Sequence, residues 1–253
     1  MFDLHSHLLP GVDDGADNLA TALALARAAV ADGITHAVLT PHIHPGRYEN
    51  TASSLRPAFE QFQRALETEF CAEEPSLQVA LAAEVRLTDD LPALLERGEI
   101  PFVGEWQGDR ILLLELPHSH IPPGTDQLIQ WLAKQGIRPL IAHPERNRDV
   151  LRNLARLRPL VEADCLFQVT AGAVAGDFGP GAETRARQLL EKDLVTVLAS
   201  DAHHLERRPP AMSRGRDAAA AIIGESRAQE LVLDNPRRLS ACQFAENPVE
   251  HPA

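Results

Sequence analysis

Cysteine is scarce in this 253-residue sequence, which carries only Cys71, Cys165 and Cys242. An odd number at wide spacing fits reduced structural thiols, not a disulfide framework. None is followed six positions later by arginine, so the phosphate loop of a cysteine-dependent phosphatase is missing. Basic residues are in deficit too. With 24 Lys and Arg against 36 Asp and Glu, the formal net charge is −12, which argues against nonspecific attraction to nucleic acid or an anionic membrane surface. No apolar run is long enough for a membrane span, and the first residues lack a basic segment followed by an apolar one, so the reading is a cytoplasmic protein without membrane insertion. Gly-x-Ser-x-Gly, Walker and Gly-x-Gly-x-x-Gly motifs are all absent, which removes the commonest signatures of serine hydrolases, P-loop nucleotidases and dinucleotide-binding enzymes. No Pro/Gly/Ser-rich linker interrupts the chain, so residues 1–253 read as one domain with a loose tail from about residue 246.

What is present is a rhythm. Short β-branched or leucine-rich runs alternate with longer helical patterns, and most runs stop at a residue with metal-ligand chemistry: His5 and His7, His42, Glu84, Glu115, His143, then Asp201 and His203. Solvated histidines and carboxylates have no reason to recur at the C-terminal ends of strands. A parallel barrel gathers all those ends around one mouth. The pattern therefore predicts an α/β barrel with a single multimetal pocket. His5-Ser6-His7 is weak alone, although alternate residues of a strand face one side and can share an ion. Asp13-Asp14-Gly15 adds a carboxylate on a turn just beyond.

In chain order, the expected strands are Phe2 to His7, His36 to His42, Leu77 to Glu84, Ile111 to Glu115, Arg138 to His143, Leu166 to Thr170 and Leu194 to Ser200. Helices are expected from a cap at Asp17 or Asn18 to Gly33, from Ser53 to Phe70, from Thr125 to Gly136, and after Arg214. Phe59, Phe62 and Leu66 share a helix face and read as core. His44, beyond Pro41, reads as a loop residue with metal ligation as the alternative. Arg47 and Tyr48 hang over the pocket mouth, solvated by default and substrate contacts otherwise. Glu84 and Glu115 end nearly wholly apolar strands, where a charge is costly unless it binds metal or pairs with arginine. The Leu166–Thr170 strand ends without a ligand, so Gln168 and Thr170 serve packing or hydrogen bonds behind the ligands. Arg146 follows His143 closely, and its planar fork suits phosphate oxygens. Asp201 and His203 repeat the spacing of the opening motif; His204 points away.

Taken as a set, His5-Ser6-His7, Asp14, His42, Glu84, Glu115, His143-Pro144-Glu145-Arg146 and Asp201-Ala202-His203 resemble the polymerase-and-histidinol-phosphatase metal-dependent phosphoesterases over nearly the whole chain. Val12-Asp13-Asp14-Gly15, Ser200-Asp201-x-His203, Arg208-Pro209-Pro210 and Asp234-Asn235-Pro236 are similar to the bacterial tyrosine-protein phosphatases of capsule and exopolysaccharide operons within that superfamily. The resemblance implies a distorted (β/α)7 barrel holding three divalent metal ions, most often Mn2+, with Fe2+, Zn2+, Co2+ or Mg2+ as alternatives. It implies His5, His7, Glu84 and Asp201 on one ion, Glu84, Glu115 and His143 on a second, and Asp14, His42 and His203 on a third. Arg146 and Arg208 match the phosphate-contacting arginines, and a metal-activated hydroxide is the expected nucleophile. The implied substrate is a phosphotyrosine protein, the tyrosine-rich tail of a cognate bacterial tyrosine kinase. A small-molecule phosphatase of the histidinol-phosphate kind, a nuclease, and a metal-binding regulatory module without turnover are the competing readings.

Overall fold

The computed structural model describes residues 1–70 and 75–244; Cys71 and the tail from about residue 246 lie outside the described residues. Parallel strands form most of it: β1 (Phe2–Ser6), β2 (His36–Leu39), β3 (His42–Ile43), β4 (Gln78–Leu81), β5 (Glu84–Arg86), β7 (Asp109–Glu115), β8 (Ile137–Ala142), β9 (Leu166–Thr170) and β10 (Val197–Ala199), with β6 (Gly104–Trp106) antiparallel on β7. The ladders run β1-β2-β4 and β10-β9-β8-β7-β5-β3. β2 with β3, and β4 with β5, are successive halves of two staves. The ring closes between the first and last strands, where the His7 N–H donates to the Ala202 carbonyl and the Asp201 N–H to the His5 carbonyl, both at 2.8 Å. The result is a seven-stave barrel, as the alternation predicts.

The two split staves are where the expected boundaries fail. Pro41 has no N–H to give a ladder, so the run His36 to His42 breaks after Leu39. Its neighbour breaks at the same level. Ala82 and Ala83 leave the strand, the Ala82 N–H turns to the Leu39 carbonyl at 2.8 Å, and pairing resumes at His42 and Glu84. The last expected strand is also shorter, with only Val197–Ala199 on the ladder. β6 escaped the sequence pattern because it is three residues long. It is joined to β7 through Gln107 and Gly108, both at positive φ, as a tight hairpin requires.

Every stave sends a side chain to the apolar filling of the ring: Leu4, Val38, Ala80, Leu113, Leu140, Leu166 and Val197. Alternating residues such as Leu112, Leu114 and Ile141 face the helical shell instead. Burial on both faces explains why these strands read as unbroken apolar runs. β1 has one irregularity that matters. Its register against β2 slips between Asp3 and Ser6, a bulge whose extra residue lets Leu4 join the filling while His5, its neighbour, still reaches the pocket above.

Helices form where caps and spacing predict. Asn18 accepts the Thr21 N–H and starts Leu19–Ala31; Thr51 and Ser54 make a reciprocal capping box for Ala52–Glu69. That second helix buries Leu55, Phe59, Phe62 and Leu66 against the barrel. Asp32 then receives the N–H groups of Met212 and Ser213, fastening the end of the first helix to the start of Met212–Ile223. No helix among the described residues is long and apolar enough to cross a membrane.

Candidate metal centre

Above the apolar filling, the strand ends surround a cavity of about 100 Å³ lined by Asp14, His42, Glu84, Glu115, His143, Arg146, Asp201, His203 and Arg208, among others. Glu84 lies at its middle. One carboxylate oxygen is 3.3 Å from His5 Nε2, 3.4 Å from His7 Nε2 and 3.0 Å from His42 Nδ1; the other is 2.8 Å from His143 Nε2. Asp201 Oδ1 faces the same His5 and His7 nitrogens at 3.3 and 3.5 Å. Toward the rim, Asp14 Oδ1 lies 3.3 Å from His42 Nε2 and 3.8 Å from His203 Nε2. Four sets of donor atoms come within 4.8 Å of one another: His7, Asp14, His42 and His203; His5, His7 and Glu84; His5, His143 and Asp201; His42, Glu84 and Glu115. All nine residues singled out in the sequence therefore converge, although His143 gathers with His5 and Asp201 while Glu115 gathers with His42.

The tautomers are set from behind. His5 Nδ1 lies 2.9 Å from Gln168 Oε1, which also accepts the His143 N–H; His7 Nδ1 lies 2.8 Å from the Asp13 carboxylate; His203 Nδ1 lies 2.9 Å from the Asp201 carbonyl. Each partner only accepts, so each Nδ1 carries a proton and each Nε2 points into the pocket. His5 Nε2 and His7 Nε2 meet at 3.2 Å; burial opposes charge on both rings, but Glu84 and Asp201 raise His5 and Asp13 raises His7 well above the usual imidazole range. Asp201 Oδ1, fully buried, has no hydrogen-bond donor. Clustered imidazole and carboxylate donors of this kind suit a divalent transition ion, which would take the place of the protons they share.

Charge states differ across the pocket. Burial, reinforced by Arg146, pushes His143 down to about 3, and burial beside His7 pushes His203 down to about 2, leaving both neutral near neutral pH. Burial also works against charge on His42, but Glu84 and Asp14 outweigh it and carry that imidazole up to about 9. Burial opposes ionisation of Asp201, yet Arg146 and His5 hold it well below the usual carboxylate range. His143 and Asp201 adopt left-handed backbone, with φ of 34° and 52°, a local cost of the kind that collects at functional sites. Gly15 is required by contact. A Cβ there would fall 2.1 Å from the His7 carbonyl, so only glycine lets the Asp13–Asp14 turn close on His7.

Arg146 Nη1 and Arg208 Nη2 each lie 2.5 Å from Asp201 Oδ2, so their carboxylate partner is the pocket's own aspartate. His44 lines the mouth without joining a donor set. Tyr48 lies parallel to His42 at 5.4 Å and is covered by Arg47 at 4.9 Å, while Arg47 reaches Asp14 at 3.6 Å. Five contributors were missed in the sequence, among them His118, which lines the cavity 3.4 Å from Glu115 Oε1. Asp13 supports His7; Asp3 binds the Ser200 N–H and hydroxyl across the barrel seam; Arg86 pairs with Glu115 at 2.8 Å; Glu145, fully buried, accepts the Thr170 N–H. The doubled Asp13-Asp14 was the one available signal. Cys165 is buried and Cys242 is exposed, and neither lines the cavity.

Residues 1–240 match the family model for capsular polysaccharide synthesis, CpsB/CapC. The chain belongs to the CpsB/CapC family. It is 35% identical over 208 residues to the tyrosine-protein phosphatase YwqE of Bacillus subtilis, covering 82% of this chain and 79% of that protein. To the tyrosine-protein phosphatase CpsB of Streptococcus pneumoniae it is 33% identical over 248 residues, covering 94% and 98%. A solved structure from the pair YwqE and CpsB, described as unique metal-dependent tyrosine phosphatases, superposes with a TM-score of 0.87 at 32% identity over 96% of this chain and 95% of the other. An organophosphorus hydrolase variant, at 17% identity and a TM-score of 0.58, shares the barrel fold alone.

Proposed function

We propose that this CpsB/CapC family member is a metal-dependent protein-tyrosine phosphatase of capsule or exopolysaccharide synthesis. One observation carries the reading: the Nε2 atoms of His5 and His7 converge at 3.2 Å beside the Glu84 carboxylate and the donor-free Asp201 Oδ1, a buried cluster of ligand atoms that a cation fits. The proposed ligands are His5, His7, Asp14, His42, Glu84, Glu115, His143, Asp201 and His203, for three ions with Mn2+ as the favoured metal. Glu84, which meets four imidazoles, would be the carboxylate placed to serve more than one ion. Bound there, the ions supply Lewis acidity and a water acidic enough to react near neutral pH.

The chain's own groups do the rest. Arg146 and Arg208 lean on one oxygen of Asp201, which orients both guanidiniums while leaving further N–H groups for phosphoryl oxygens. In a protein of net charge −12, such local positive charge is what draws in a dianion. No thiol is required. Burial, aided by Asp164, pushes Cys165 up to about 12, far from the thiolate a nucleophile needs. The proposed physiological substrate is a phosphorylated tyrosine segment of a cognate bacterial kinase, a reading supported by the capsule-synthesis family and its phosphatase relatives.

The test is a substrate panel. Protein loaded with one ion at a time is assayed on phosphotyrosine peptide, phosphoserine peptide, histidinol phosphate and single-stranded DNA. The expected result is preference for phosphotyrosine. Faster turnover of histidinol phosphate or DNA would move the protein to the small-molecule or nuclease class.

A further inference from the structure

Positive charge in this acidic chain is unevenly spread. Residues 146–158, Arg146-Asn-Arg148-Asp149-Val-Leu-Arg152-Asn-Leu-Ala-Arg156-Leu-Arg158, hold five arginines and one carboxylate. Arg146 is in the pocket; Arg148, Arg152, Arg156 and Arg158 are exposed. Arg158 is matched by Glu162 at 2.7 Å. Arg152 and Arg156 share a single Asp149, at 3.6 and 3.7 Å, with side chains 74% and 55% exposed. Arg148 makes no ion pair among the described residues. Three guanidiniums therefore stand over one carboxylate on a ridge that begins in the active pocket.

The ridge is mounted rigidly beside the mouth. The Arg148 N–H donates to the His118 carbonyl at 2.8 Å, and the His118 imidazole lines the cavity. Asn147 holds the same loop from inside: its side-chain amide donates to the carbonyls of Pro117 and His120, and its oxygen caps Arg148–Arg152 through the N–H groups of Asp149 and Val150. From below, Arg185 donates to the Leu151 carbonyl at 2.7 Å. Long side chains on a fixed backbone, sharing one carboxylate among three and following the pocket's Arg146 in the chain, are placed to meet a ligand that continues out of the pocket.

We infer that Arg148, Arg152 and Arg156 form a docking ridge for the substrate polypeptide, and that they recognise Asp or Glu residues flanking the phosphotyrosine. This inference rests on the proposed phosphatase activity and deepens it. The pocket selects the phosphoryl group; the ridge selects the sequence around it, through charge pairs that steer association and are screened by salt. A phosphotyrosine in a basic context meets repulsion at the same place.

The experiment compares phosphotyrosine peptides of equal length whose flanks are Glu, Gln or Lys, with p-nitrophenyl phosphate as a substrate too small to reach the ridge. On the wild type, kcat/KM is expected to favour the Glu over the Lys peptide by on the order of tenfold, mainly through KM, and the ratio is expected to shrink as salt rises. In the R148A/R152A/R156A variant the preference collapses while p-nitrophenyl phosphate turnover stays at the wild-type value. The wild-type salt series stands without any variant. Equal treatment of the peptides by the wild type, or a preference that survives in the variant, overturns the ridge. Equal treatment together with arginine-dependent binding to phosphatidylglycerol vesicles also overturns it and assigns the arginines to a lipid surface. Absence of p-nitrophenyl phosphate turnover in metal-loaded wild type is a different failure, that of the phosphatase reading itself.

Discussion

The deep wall of the pocket and its rim use the same residue types but hold them differently. His5, His7 and His203 are at most 2% exposed, and each has its outer nitrogen tied to an acceptor behind it. At the rim, Asp14 is 41% exposed, and both nitrogens of His42 face carboxylates of the pocket, with no backing acceptor. Rigid backing fixes tautomer and direction before a metal arrives, so affinity is preorganised where water is excluded. The rim keeps its donors adjustable. The comparison predicts tight binding in the depth and weaker, exchangeable binding at the rim.

Removing the deep wall has the largest effect. His5→Ala with His7→Ala is expected to abolish phosphoester hydrolysis and lower bound metal, measured by turnover and metal content on the same sample. Full activity in that variant would end the metal reading. Next come the arginines, which separate phosphate from metal. Arg146→Ala or Arg208→Ala is expected to lose on the order of 1.5–3 kcal/mol in transition-state binding, roughly ten- to a hundredfold in kcat/KM, with metal retained. Lysine restores only part, because an ammonium lacks the planar fork. Wild-type kinetics in both variants would remove their phosphate role. The comparison itself is sharpened by Gln168→Leu and Asp13→Ala, each expected to weaken deep-site metal affinity by roughly 10–100-fold; Tyr48→Ala, which unstacks His42 at the rim, is expected to cost less. Calorimetric titration of stripped protein ranks them, and the reverse order would contradict preorganisation.

A smaller effect is confined to pH. Burial lifts Glu145 to about 7, against Arg146 and the Thr170 N–H. Between its ordinary 4.5 and about 7 the folded state holds a proton the unfolded state has lost, so stability declines as pH rises through that window and stays reduced above it. Glu145→Gln removes the decline. Thermal unfolding should show no gain near pH 4.5 and, above pH 7, a gain of up to roughly 3 kcal/mol. A gain of equal size at both ends would contradict the titration. Smallest of all, changing Cys71, Cys165 and Cys242 together to Ser is expected to leave turnover per folded molecule intact. Lost chemistry with folding preserved would revive a thiol mechanism.

Much of this architecture is legible in the residues because buried parallel strands write themselves as apolar runs, and their polar ends stand out. Glu115 after Ile-Leu-Leu-Leu and Asp201 after Val-Leu-Ala-Ser are visible for that reason. The convergence of the nine donor residues follows from barrel closure. Backing residues are harder to see. Asp3 looks like an ordinary polar residue at a strand edge, and its partner Ser200 is 197 positions away. Arg86 lies just past the expected end of its strand, which Ala82 and Ala83 had shifted. The shared anchoring of Arg146 and Arg208 on Asp201 is equally invisible, because it depends on two loops meeting over a third residue.

Metal dependence is measured most directly as turnover of a phosphotyrosine peptide by chelator-stripped protein before and after refilling with Mn2+, with bound metal counted at each step. Stripped protein is expected to show no turnover, with activity returning as metal fills the deep wall before the rim. Full turnover by protein free of metal would contradict it.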